Sequence, residues 1–193
     1  MISGVKSGTT PLDADEAVGL IEADIKNREE LDTWEWSNIT RAEQWAFSRR
    51  HPDLLSPDFI RTLHRRMFGE TWRWAGRYRT TDKNIGIASE HIATAVHDLC
   101  ADVRTQLDGH VYGIDEIAAR FSHRLVWIHP FVNGNGRHAR MLADLFLVDN
   151  SAPRFTWGSG DLRHSDGARQ RYLSALRRAD AGDFAPLLAF VRS

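Results

Sequence analysis

Apolar residues recur every three or four positions along most of the chain, which is the spacing of one face of an amphipathic helix. The clearest run extends from Ile114 to Ile128 and should end before Pro130, because a residue that precedes proline avoids the right-handed helical region. A capped helix start is predicted at residues 13–16. Further helices are predicted over about 28–49, from Ser56 onward, over 93–107 and 141–148, and over 167–192 with a break at 182–186.

One stretch, from Gly69 to Ile92, has a different pattern. Aromatic and β-branched residues such as Trp74, Tyr78 and Ile85 lie between glycines here. This mixture is typical of a short hairpin or an extended loop. The fold class predicted from the whole chain is therefore all-α with one small β excursion, a short β-hairpin.

The length of 193 residues suits one domain with a single core. Hydrophobic residues make up 42% and charged residues 26%, which is typical of a globular chain. The first dozen residues are polar and rich in glycine. We therefore expect a flexible segment at 1–12 and a single helical domain at 13–193.

Composition excludes several classes of protein. The formal net charge of −1 argues against a protein that binds nucleic acid through bulk charge. A single cysteine, Cys100, rules out an intramolecular disulfide framework and a multi-cysteine zinc site. No apolar run approaches the roughly 20 residues that span a bilayer, and the first residues lack the apolar stretch of a signal peptide. We expect a cytoplasmic protein with no membrane partner.

The candidate chemistry lies in the segment from His129 to Arg140. Two glycines, Gly134 and Gly136, precede a predicted helix whose first turns carry Arg137 and Arg140 on one face. Free backbone N–H groups and the helix dipole make such a helix start an anion site, and glycines let a phosphate approach the backbone. His129 lies at the edge of this site and has the residue type of a general base at neutral pH. The residues alone predict a phosphate-binding loop that performs phosphoryl or nucleotidyl transfer.

This segment resembles the signature of the Fic domain family, which reads His-Pro-Phe, two residues, Gly-Asn-Gly-Arg, two residues, Arg. Every fixed position of the signature is met by His129, Pro130, Phe131, Gly134, Asn135, Gly136, Arg137 and Arg140. The resemblance extends over about 56–192, and Trp74-Ala75-Gly76 with Tyr78-Arg79 is similar to the stretch before the family's flap. With residues 45–50 and Asn133 added, the chain looks most similar to the bacterial branch called mobile mystery protein B.

The resemblance implies a mostly helical Fic-type fold that transfers AMP from ATP to a Ser, Thr or Tyr hydroxyl of a target protein. It assigns the role of general base to His129 and places Phe131 as the anchor of the loop in the core. Nucleotide binding is implied for Gly134, Asn135, Gly136, Arg137 and Arg140. It also implies that a flap over about 80–88 aligns the target by strand-like pairing. The target-binding flap residues are then Thr81, Lys83, Asn84 and Ile85.

Asn133 departs from the family pattern, which usually has Asp or Glu at this position to help hold Mg²⁺ on the phosphates. Its amide oxygen is neutral, whereas hard Mg²⁺ is usually bound by carboxylates together with phosphates and water. We expect Asn133 to be a weak metal ligand, with ATP supplying most of the others, and AMP transfer to be slower.

Regulation is the second point at which the resemblance is incomplete. Many Fic proteins carry an inhibitory helix whose glutamate pairs with the second motif arginine, here Arg140. The spacing around residues 37–43 does not match that form. A solvated helix face is the preferred interpretation of Glu35 and Glu43, and the alternative is that one of them reaches the site. Control by a partner protein, as in the toxin–antitoxin pairs of this family, stays open.

Two other functions remain as alternatives. One is a kinase-like transfer of the γ-phosphoryl group, as in the Doc branch, although that branch departs from the Gly-Asn-Gly-Arg loop that is present here. The other is a nucleotide-binding pseudoenzyme or a partner-binding module without turnover, and Asn133 motivates it. The target protein and its modified residue are not encoded in any pattern that we recognise.

Overall fold

A computed structural model describes residues 19–21, 28–159 and 166–193. Within these ranges the chain forms seven α-helices and two short 3₁₀ turns, and no extended strand. The helices are α1 (Arg28–Phe47), α2 (Pro57–Phe68), α3 (Ile92–Asp108), α4 (Ile114–Ile128), α5 (Asn135–Asp149), α6 (Asp166–Asp180) and α7 (Ala185–Val191). The predicted all-α class is confirmed. The predicted flexible segment at 1–12 and the helix start at 13–16 lie outside the described residues.

Local sequence signals explain where several helices begin and end. Ser56 caps α2 by accepting a hydrogen bond from the Phe59 backbone N–H at 3.0 Å, and Pro57 occupies the first turn. Helix α4 has the bounds that the apolar spacing predicts. It ends at Ile128, and the next residue, His129, has a φ of 54° in the left-handed region. The last predicted helical stretch is interrupted by Gly182 at a φ of 89°, which separates α6 from α7.

The core forms where α4 packs along α5 and α1 packs along α2. Its largest fully buried side chains include Phe68, Phe121, Phe131 and Phe146. Burying one such ring contributes about 2 kcal/mol of transfer free energy, so these residues fix how the helices meet. Phe131 belongs to the motif and is 0% exposed, which agrees with the anchoring role that the resemblance implies.

The segment between α2 and α3 is an irregular loop, so the prediction of a short β-hairpin is wrong. Residues 78–88 contain no strand pairing. The carbonyls of Thr81 and Ile87, which a hairpin could use across its strands, both accept hydrogen bonds from the Arg79 guanidinium. An isolated antiparallel bridge joins Leu20 to Trp72 near the start of this segment. No helix among the described residues is long and apolar enough to cross a membrane.

Candidate active site

The loop between α4 and α5 has a backbone that only glycine fits at its last position. Gly134 has a φ of 78° and directly precedes the first turn of α5. A Cβ atom on Gly134 would lie 2.6 Å from the Phe68 ring, so both the conformation and the space require glycine. The loop can therefore lie close against the core directly before the first turn of α5.

Two buried side chains fasten this loop. The Asn135 amide donates to the Phe131 carbonyl at 2.8 Å and accepts from the Phe131 N–H at 2.9 Å. His64 donates from Nε2 to the Asn133 carbonyl at 3.0 Å and accepts the Gly76 N–H on Nδ1. Both polar atoms of the Asn135 side chain are thus used in hydrogen bonds within the loop. Asn135 can therefore bind a phosphate only through its backbone N–H.

His129 lies at the end of α4 and is 6% exposed. Its Nδ1 lies 3.3 Å from the Val126 carbonyl. Because a carbonyl can only accept, Nδ1 carries the proton and Nε2 is the basic nitrogen. Burial lowers the pKa of His129 to about 4, the Val126 contact opposes that change, and the cations Arg79 and Lys83 add to it. His129 is therefore neutral at pH 7 and can accept a proton.

The first motif arginine is paired with an acid from a distant helix. Arg137 Nη1 donates to Glu35 Oε2 at 2.6 Å, and Glu35 Oε1 accepts from the Trp72 indole at 2.7 Å. Glu35 is 6% exposed, so the expectation of a solvated position is wrong for this residue. The physical reason is that α1 packs on α2 and brings Glu35 against the start of α5, where the arginine compensates its charge.

The second motif arginine has a different environment. The Arg140 guanidinium lies 5.6 Å from the centroid of the Tyr172 ring. Across residues 19–21, 28–159 and 166–193, no acidic side chain forms an ion pair with Arg140. Glu43, which also lies on α1, forms an ion pair with Arg154 at 2.7 Å instead. Arg140 therefore differs from Arg137, whose guanidinium is held by the Glu35 carboxylate.

The flap loop lies directly against His129. The Arg79 N–H donates to the Pro130 carbonyl at 2.9 Å, and the Ile87 N–H donates to the Ile128 carbonyl at 3.4 Å. A Cβ atom on Gly86 would lie 2.6 Å from the His129 Cβ. The four residues predicted to bind the target lie on this loop; Thr81, Asn84 and Ile85 are exposed and Lys83 is half-buried.

Asn133 is half-buried, and its Oδ1 accepts the Gly134 N–H at 2.6 Å. The described part of the chain contains no group of three or more His, Cys, Asp or Glu residues that could hold a metal ion. A single neutral oxygen that already accepts a hydrogen bond does not make a Mg²⁺ site, so the residues of this chain do not fit the metal by themselves.

Arg79 and Trp72 were not singled out as site residues from the sequence. Arg79 occurs in the Tyr78-Arg79 pair that supports the resemblance, but its acceptors are main-chain carbonyls, and these leave no side-chain pattern. Trp72 acts through an indole N–H to Glu35, far from it in the chain. The two residues are 37 positions apart, so the sequence gives no signal for such a bond.

Comparisons with known proteins identify the family of this site. The model of the Fic/DOC family matches residues 54–147. The chain is 33% identical to "Protein adenylyltransferase Fic" of Nematostella vectensis, over 72% of this chain and 32% of that protein. It is 29% identical to "Probable protein adenylyltransferase y4lH" of Sinorhizobium fredii, over 88% of this chain and 87% of that protein. The chain spans about a third of the length of the animal relatives it matches.

A solved structure confirms the fold. The structure of Fic-1 (residues 134–508) from Caenorhabditis elegans matches with a TM-score of 0.69 and 26% sequence identity. The match covers 91% of this chain and 51% of that one.

Proposed function

We propose that this chain, which carries a Fic/DOC family domain at residues 54–147, is a protein adenylyltransferase. It transfers AMP from ATP to a Ser, Thr or Tyr hydroxyl of a target protein. The observation that carries the proposal is the neutral, buried imidazole of His129 beside a glycine-rich helix start with Arg140 nearby. The adenylyltransferase names of the relatives support it.

In the proposed reaction His129 is the catalytic base. Nε2 accepts the proton of the target hydroxyl as its oxygen attacks the α-phosphorus of ATP. A new phosphorus–oxygen bond forms to the target, the bond from the α-phosphorus to the bridging oxygen breaks, and pyrophosphate leaves. Backbone N–H groups of Asn135 and Gly136 hold the phosphates, because the positive end of the α5 dipole lies there. Gly134, whose N–H is bound by Asn133 Oδ1, contributes the φ of 78° that shapes this phosphate-binding loop.

The arginines and the flap supply binding. Arg137 and Arg140 hold the β- and γ-phosphates through charge-assisted hydrogen bonds. Thr81, Lys83, Asn84 and Ile85 hold the target segment by strand-like pairing, which reads the main chain more than the side chains. The exposure of Thr81, Asn84 and Ile85, on the loop that packs against His129, supports this assignment.

Magnesium enters the proposal as an ion brought by ATP, with Asn133 as a weak ligand and no step assigned to the metal. Replacing Asn133 by aspartate keeps an oxygen for the Gly134 N–H and adds the charge that Mg²⁺ prefers. We expect Asn133→Asp to lower the Mg²⁺ concentration that gives half-maximal transfer several-fold. Magnesium titrations of both proteins at fixed ATP measure this, and identical titration curves would remove Asn133 as a determinant of metal binding.

The pH dependence of transfer provides a second test. Since burial lowers the pKa of His129 to about 4, the neutral base is present throughout neutral pH and is lost only as the pH falls towards 4. The rate should be flat from pH 6.5 to 8 and should decline below about pH 5. An acid limb centred near 6.5, the ordinary value for histidine, would contradict the buried state of the base.

A second candidate function is a nucleotide-binding module without turnover. The Arg137–Glu35 pair and the neutral Asn133 favour it, since both weaken the phosphate binding on which transfer depends. Calorimetry of ATP binding, together with transfer of label from the α-phosphate, separates the two. Binding with transfer supports the enzyme, and binding without transfer supports the module. Label from the γ-phosphate would instead indicate the kinase-like alternative, which no contact in the site favours.

Finer assignments also belong to the proposal. They are a single domain over 13–193, the mobile mystery protein B branch, a bacterial source, a cytoplasmic location and control by an antitoxin-like partner. Residues 45–50 and Asn133 support the branch.

A further inference from the structure

Arg79 is a buried cation that binds main-chain carbonyls from three places. Its side chain is 0% exposed. Nε donates to the His129 carbonyl at 2.8 Å, Nη1 donates to the Thr81 carbonyl at 2.8 Å, and Nη2 donates to the Ile87 carbonyl. Thr81 and Ile87 are the two ends of the flap loop, so one guanidinium joins both ends of the flap to the residue assigned as the base.

Charge pairing does not explain this placement. The carboxylate nearest to Arg79 in the described ranges is Asp82, whose side chain is 68% exposed and lies 3.7 Å from Nη1. Burial lowers the pKa of Arg79, with Asp82 opposing that change, so the charged group is held here at a cost. A planar guanidinium can donate in three directions at once, whereas an ammonium on a flexible stem cannot reproduce that geometry.

We propose that Arg79 is the positioning residue that holds His129 and the two ends of the flap as one unit, so that the base and the bound target stay in register. This inference rests on the proposed function. His129 has a φ of 54°, a left-handed conformation that is strained for a non-glycine residue, and the bond from Arg79 to its carbonyl is one of the contacts that keep it there.

The position of Gly86 is independent evidence that the flap packs closely against His129 and Arg79. It has a φ of 95°, and a Cβ atom there would lie 2.6 Å from the His129 Cβ and 2.8 Å from Arg79 Nη2. The flap, the base and the guanidinium are therefore packed without room for one methyl group. An alanine at this position would force them apart, and its Cβ would also lie 3.1 Å from the Ile128 carbonyl at the end of α4.

The first experiment compares Arg79→Lys and Arg79→Met with the unmutated chain in AMP transfer. Arg79→Lys keeps the charge but loses the three-way geometry. We expect both variants to lower kcat by about tenfold or more, since misplacing a catalytic group by 1 Å can lower the rate by up to about a hundredfold. KM for ATP should stay within about twofold because the proposed phosphate ligands lie on α5. Arg77→Met, an exposed arginine on the same segment, is the matched control.

The second experiment uses Gly86→Ala, which leaves Arg79 intact. We expect the same loss of kcat as for Arg79→Lys. Gly182→Ala is its control, because Gly182 has a φ of 89° but nothing within 4 Å of an added Cβ, so it reports the backbone strain alone. If Arg79→Lys and Gly86→Ala both keep kcat within twofold of the unmutated protein, the positioning role is overturned.

A third measurement does not need transfer, and it separates failure of this inference from failure of the proposed function. The pKa of His129 is measured by NMR titration. The cations that face His129 are Arg79 and Lys83, and burial is the larger cause of its low pKa. If Arg79 holds His129 in place, Arg79→Lys should raise that pKa from about 4 towards 6.5, because water enters. An unchanged pKa in Arg79→Lys overturns the inference, whereas an unmutated protein that transfers nothing overturns the function alone.

Discussion

Replacing His129 by alanine is expected to lower AMP transfer by about 10²–10⁴-fold, the range that a positioned general base contributes. In the described part of the chain, the two other histidines at the loop cannot take over, since both are committed inside the core: His64 to Asn133 and Gly76, and His138 to the Ile60 carbonyl. Burial lowers the pKa of both His64 and His138. The measurement is the rate of label transfer from the α-phosphate of ATP at saturating nucleotide.

The control for this variant must separate loss of the base from backbone strain. His110 is an exposed histidine with a φ of 49°, close to the 54° of His129. His110→Ala therefore makes the same substitution at the same kind of left-handed backbone position, and we expect it to have no effect on transfer. ATP affinity should persist in His129→Ala because the proposed phosphate ligands are untouched. A His129→Ala protein that keeps its fold and full activity would show that the assigned base is wrong.

Replacing Glu35 by glutamine is expected to raise transfer. The Glu35 carboxylate binds Arg137 at 2.6 Å, so the guanidinium must leave this partner to hold a phosphate. Glutamine keeps an oxygen for the Trp72 indole but loses the charge. Charge-assisted hydrogen bonds are worth roughly 1–2 kcal/mol more than neutral ones, which corresponds to about a tenfold gain in ATP affinity.

Glu43→Gln is the matched control for this variant. Glu43 lies on the same helix α1 and also pairs with an arginine, Arg154 at 2.7 Å, but that arginine is not part of the motif. Calorimetric ATP titrations and transfer rates of the two variants should therefore diverge. Equal ATP affinity in Glu35→Gln and the unmutated chain would contradict the view that Glu35 restrains Arg137.

The sequence predicted the helices well because their signal is local. The spacing of apolar residues defined α4 at both ends, and Ser56 with Pro57 marked the start of α2. The glycine loop before Arg137 could be recognised for the same reason, since its residues are neighbours in the chain.

Contacts between distant residues could not be predicted. Glu35 and Arg137 are 102 positions apart, and only the packing of α1 brings them together. The predicted hairpin failed because the pattern of Trp74, Tyr78 and Ile85 fits a strand, while the carbonyls that a strand needs are bound by Arg79. The low pKa of His129 depends on burial, which no spacing encodes.

The measurement that tests the central claim most directly uses two ATP labels in parallel, one on the α- and one on the γ-phosphate. The purified chain is incubated with each label and Mg²⁺ in a cell lysate as the source of targets, beside His129→Ala. We expect protein to be labelled from the α-phosphate alone, and only by the unmutated chain. Labelling from the γ-phosphate, or equal α-labelling by His129→Ala, would contradict AMP transfer by this site.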